Sequence, residues 1–152
     1  MPSPPVHRQI DAPASAVYRA LLDANAVGSW RVPDGMSSTV HDFDGRQGGR
    51  FRISLTYEDQ QGLGKSAHRT DTFDGRFATL VPDREVVEVI EFETTVPELL
   101  GEFTVTTTLE PSDGGTRIAI VFDGLPPGVP TEDNQLGTQM SLARLAVLVE
   151  GD

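Results

Sequence analysis

The chain has no cysteine in its 152 residues. Disulfides, thiolate nucleophiles and cysteine-ligated zinc are therefore excluded. Basic side chains are scarce: 12 Lys and Arg stand against 23 Asp and Glu, a formal net charge of −11. Such a surface repels phosphate backbones and anionic lipid, so neither a nucleic acid nor a membrane is expected as a partner. Long apolar runs are also missing. No stretch approaches the ~18 apolar residues of a membrane span, and Met1-Pro2-Ser3-Pro4-Pro5 lacks the apolar core of a signal peptide. The cytoplasm is the expected location by elimination. His7, His41 and His68 are scattered, without the helical pair of zinc proteases. Gly45-Arg46-Gln47-Gly48-Gly49 leads into a strand, not a helix, and so cannot cradle phosphate on a helix end. No serine sits in a nucleophile elbow. Neither a metal nor a cofactor is expected.

What is present is patterning for one domain of ordinary size, spanning 6–150 behind a flexible 1–5. Val6–Ile10 reads as a short strand. Asp11 and Pro13 then open a helix over about 13–22, with Asp11 as its cap. Asp23 caps a second short helix that runs to about Trp30 and stops before Pro33. From 38 to 122 the chain reads as strands. Phe51, Ile53, Leu55 and Tyr57 alternate with Arg50, Arg52, Ser54 and Thr56, and Phe103, Val105, Thr107 and Leu109 alternate in the same way. Residues 58–65 read as a polar loop and 68–80 as a strand kinked at Gly75; 84–94 is a further strand, and Ser112-Asp113-Gly114-Gly115 is a hairpin turn. Thr131 caps a last helix over about 132–149. Leu136, Met140, Ala143 and Val147 form one apolar line down it, and Leu142, Leu145, Ala146 and Val149 an adjacent one. Strands segregated from helices argue for an α+β domain with an antiparallel sheet of about 6–7 strands under the long C-terminal helix.

This order of elements resembles the helix-grip fold of the START-like superfamily, also called SRPBCC. The local motifs resemble its branch named after the activator of heat-shock chaperone ATPase. They are Ile10-Asp11-Ala12-Pro13 with Val17-Tyr18-Arg19-Ala20-Leu21, Trp30 with Pro33 and Gly35-Met36, and Asp42-Phe43-Asp44 with Gly48-Gly49-Arg50-Phe51. Further on stand Asp74-Gly75-Arg76-Phe77, Leu80-Val81-Pro82 with Arg84, Gly114-Gly115-Thr116, Gly124-Leu125-Pro126 and Ser141-Leu142-Ala143-Arg144-Leu145-Ala146. The set covers nearly the whole chain in order. It implies a ligand-sized cavity between a curved sheet and the last helix. In one respect the chain departs from many relatives, which carry a tryptophan just after the glycine of the last helix. Here that residue is Thr138, so a cavity near it is expected to be wider or differently shaped.

Candidate ligand-binding residues are Trp30, Phe51, Ile53, Tyr57, His68, Phe73, Glu88, Ile90, Phe103, Leu136 and Met140. Trp30, the only tryptophan, suits either a core position or a cavity wall. His68, Asp71, Asp74 and Arg76 form the densest polar cluster on one strand, with Asp71 on the opposite face from the others. Glu88 shares the alternation of Val86, Ile90 and Phe92. Either a local bulge turns it outward, or it is a buried carboxylate needing a partner, for which Arg8, Arg50 and Arg52 are candidates.

Three functions follow. The first is binding of a small hydrophobic or amphipathic molecule. The second is an enzyme of cyclase or hydratase type in the same cavity, with no catalytic residue yet identified. The third is a chaperone-regulating interaction module. A homodimer through an open sheet edge or the final helix is compatible with the sequence.

Overall fold

The computed structural model describes residues 2–58 and 70–150. The order is β1 (Val6–Ile10), α1 (Ala14–Leu21), α2 (Ala24–Trp30), β2 (Met36–Phe43), β3 (Arg50–Tyr57), β4 (Thr70–Val81), β5 (Glu85–Phe92), a 3-10 turn (Pro97–Leu99), β6 (Glu102–Ser112), β7 (Gly115–Asp123) and α3 (Thr131–Glu150). The strands form one antiparallel sheet in the order β1-β7-β6-β5-β4-β3-β2. This is the expected α+β helix-grip architecture, with seven strands gripping α3. Among the described residues no helix is long and apolar enough to cross a membrane.

Alternation sets which side of the sheet is wet. On β6, Phe103, Val105, Thr107 and Leu109 are buried, while on β3 and β4 Arg52, Asp74 and Arg76 face outward. Arg52 hydrogen-bonds Glu93 with two N–H groups, and Arg76 lies 3.4 Å from Glu102. The polar cluster read on this strand is thus mostly an outer-face ion network. His68 and most of the 58–65 loop lie outside the described residues. Gly75 stays in register opposite Phe51. The β4 irregularity falls instead between Phe77 and Thr79. Gly75 has a different purpose: a Cβ there would stand 2.3 Å from the Phe51 ring.

The caps differ in part from expectation. Asp23 does cap α2, accepting from the amides of Asn25 and Ala26 at 2.8 and 3.2 Å. Asp11 does not cap α1, whose N-cap is Pro13 without a side-chain bond; its own N–H donates to Glu150 Oε2 at 2.7 Å. Thr131 is already inside α3, because the Asn134 amide donates to Pro130 O. Pro2 bridges Asp123, and the Ser3 amide donates to Phe122 O at 2.7 Å.

α3 packs against β1 at the sheet edge and against α1 and α2. Leu142, Leu145 and Ala146 are its buried residues. The other apolar line of the helix points away: Leu136 is 54% and Val147 72% exposed. The expectation that both lines cover the sheet is corrected here. A helix held at the sheet edge need bury only one of two adjacent lines, and periodicity alone does not say which.

Candidate functional site

A cavity of about 320 Å³ lies between the sheet and the N-terminal half of α3. That is near the lower end of the ~300–1,000 Å³ of small-molecule sites. Its sheet side is largely apolar, with Phe73, Val86, Ile90, Phe92, Phe103, Val105, Ile120 and Phe122 among the lining. Phe92, Phe103 and Phe122, on three neighbouring strands, form a run of tilted rings with centroids 5.4 and 6.4 Å apart. The helix side is different. Asn134, Gly137, Thr138 and Ser141 line the cavity, and none of them is large. These positions recur at three and four residues, so they share one face of α3. Continued toward the C-terminus, that face carries Leu145, which is fully buried. Small side chains leave the space open and large ones close it.

Trp30 stands on the cavity wall and is also buried core, so both readings of it meet. Its indole N–H donates to Ala20 O at 2.9 Å, which fixes the ring. The next residue, Arg31, caps the end of α2 and enters the cavity lining. There it meets Glu88. Arg31 Nη1 donates to Glu88 Oε2 at 2.6 Å and Nη2 to Oε1 at 3.2 Å. The guanidinium also lies 5.7 Å from the Phe51 ring centre and 5.8 Å from that of Phe73. Two parallel charge-assisted bonds and two aromatic faces hold this arginine in one orientation.

Glu88 is 4% exposed and keeps the inward phase of Val86 and Ile90. A bulge does lie beside it, but on the neighbouring strand: Phe77 pairs with Glu88 and Thr79 with Val87. The displaced residue is therefore Ala78, and Glu88 stays inside. Its partner is Arg31, not Arg8, Arg50 or Arg52. A buried carboxylate left alone would cost several kcal/mol, about 3–5 when a partner is removed, so the pair must be kept or lost together.

Of the other candidate residues, Tyr57, Phe73, Ile90 and Phe103 line the cavity. Phe51 and Ile53 are packed into the core beside it. Leu136 and Met140 lie on the outer side of α3, in a shallow depression with Arg144 and Val147. Sequence reasoning missed Arg31, Asn134, Thr107 and Ser141, all on the lining. Asp71 and Asp133 are also there. Exposed Tyr57 and Asp133 show that the cavity opens to solvent. Among the described residues no group of His, Asp or Glu is placed to hold a metal ion.

The comparisons agree with this architecture. A protein from Chromobacterium violaceum of known structure is 34% identical, with a TM-score of 0.88 over 98% of this chain and 97% of that one. A protein from Arthrobacter aurescens, 17% identical, gives 0.80 over 97% of this chain and 86% of its own. An AHSA1-like protein from Aeromonas hydrophila, 19% identical, gives 0.73 over 99% and 93%. These last two likenesses speak for the fold alone. No curated protein matches the chain. The family model described as Activator of Hsp90 ATPase homolog 1-like protein matches residues 11–150. With the seven-stranded sheet gripping its last helix, the chain belongs to the Activator of Hsp90 ATPase homolog 1-like family.

Proposed function

We propose that the protein binds a small, mostly apolar molecule in the cavity beneath α3. The observation that carries this reading is a hollow of about 320 Å³ whose apolar wall holds one fixed polar anchor, the Arg31–Glu88 pair. Apolar burial, at about 25 cal/mol per Å², would supply most of the affinity, and the anchor would set orientation. Catalysis in the same space is the weaker reading, because both Glu88 oxygens already accept from Arg31 and neither is left bare for proton transfer. The interaction-module reading draws on the exposed apolar line of α3, and nothing there specifies a partner.

Native mass spectrometry of protein purified from its own host tests the proposal. A single small molecule should co-purify at one per chain. It should be absent from Ser141→Phe, which would fill the cavity from the helix side while far-ultraviolet circular dichroism stays unchanged. An identical bound mass in a folded Ser141→Phe protein would overturn the reading.

A further inference from the structure

The proposed site has a chemical preference that its polar groups impose. An arginine carries five N–H donors. Arg31 gives two of them to Glu88, and no other protein acceptor takes a hydrogen bond from it among the described residues. Its guanidinium carbon lies 5.7 and 5.8 Å from the Phe51 and Phe73 ring centres, and its remaining N–H donors lie in the guanidinium plane. A hydrogen-bond acceptor on a ligand at this end of the cavity would meet those donors.

Charge narrows the choice. Glu88 already neutralises Arg31. Asp133, on the same lining, sits in the first turn of α3, where the positive helix end is satisfied by it and by Glu132. A bound carboxylate or phosphate would add a second negative charge to Arg31, the one Lys or Arg among the described lining residues, beside Glu88, Asp71 and Asp133. The walls add a shape. Phe92, Phe103 and Phe122 present adjacent tilted rings, against which another ring stacks well.

Resting on the reading of the cavity as a binding site, we infer that its ligand class is an uncharged, ring-bearing molecule with a carbonyl- or ether-type oxygen that accepts from Arg31, and not an anionic lipid or acid.

Three probes of one ring system separate the terms: 1-ethylnaphthalene, 1-acetylnaphthalene and 1-naphthoate. Binding is read by isothermal titration calorimetry at pH 7, and location by the indole N–H resonance of Trp30, the only tryptophan. The ketone should bind about tenfold more tightly than the hydrocarbon, the gain of one hydrogen bond to a charged donor. It should also bind at least about tenfold more tightly than the acid. In the double variant Arg31→Met, Glu88→Leu, which removes both charges and leaves neither stranded, the ketone should lose its advantage over the hydrocarbon. A tighter acid, equal affinity of ketone and hydrocarbon, or an unchanged advantage in the double variant would overturn this inference while leaving the binding reading standing. Failure of all three probes to bind or to shift Trp30 would overturn both.

Discussion

The two halves of α3 meet the rest of the protein in opposite ways. The C-terminal half presents Leu142, Leu145 and Ala146 to the core and ends with Glu150 bonded to the Asp11 amide. The N-terminal half presents Asn134, Gly137, Thr138 and Ser141 to a hollow. Both halves belong to one uninterrupted helix, so the difference lies in side-chain size along a single face. Sealing and leaving room are separate tasks, and the sequence divides them about midway along the helix. A close-packed interior has few voids larger than a water molecule, so a hollow of this size is a feature built by those small residues.

Substitutions can break or sharpen the contrast. The largest effect is expected at the sealing half. Leu145→Ala should cost about 2–5 kcal/mol in urea unfolding, whereas Leu136→Ala on the exposed line should stay within about 0.5 kcal/mol. Equal losses at the two sites would mean that the helix faces are assigned wrongly. Next comes the anchor inside the hollow. Arg31→Met strands Glu88 and should cost about 3 kcal/mol, at the low end for a buried pair because Arg31 is partly exposed; adding Glu88→Leu should recover most of that loss. Additive losses in the double variant would show that the two charges do not act as a pair.

Beside the hollow the core is full, and there the test is overpacking. Gly75→Ala would set a Cβ 2.3 Å from the Phe51 ring and should cost about 1–3 kcal/mol. A neutral result would show that the aromatic packing around Phe51 and Phe77 is looser than described. The smallest effect belongs to the outer face. Its hydrogen bond and charge attraction to Arg52 hold the exposed Glu93 carboxyl below its ordinary value of 4.5. Its contribution is therefore present above about pH 4.5 and fades as pH falls through the lowered folded value. Glu93→Gln should flatten the loss of urea midpoint between pH 7 and pH 3 slightly. A steeper loss in the variant would reverse the sign of this coupling.

Much of this was legible before any coordinates. Period-two alternation placed the strands, glycine pairs and Asp-Gly marked the turns, and the ordered motifs resembled the family that the comparisons then showed. Alternation puts Phe73, Glu88, Ile90 and Phe103 on the inner side, where they line the cavity, but it puts Phe51 and Ile53 there too, which are core, and it did not single out Thr107. Two features were not legible. Arg31 stands in a short connection with no periodicity, 57 residues from its partner. Sequence order does not reveal such a pairing. The helix was misread because apolar lines mark what a helix can bury, whereas a cavity wall is marked by small residues that no apolar count detects. Thr138 was the one signal available. In place of a tryptophan expected from relatives it pointed to a wider or differently shaped cavity, and it stands on the lining.

Everything rests on an unfilled volume under the first half of α3. A crystal structure under xenon pressure tests it directly, since xenon settles in apolar space that side chains leave unfilled. Xenon should settle against Phe103, Ile120 and Ser141 in the wild-type protein and be missing from Ser141→Phe. Wild-type crystals with side chains meeting across that space, and no xenon between them, would contradict the account.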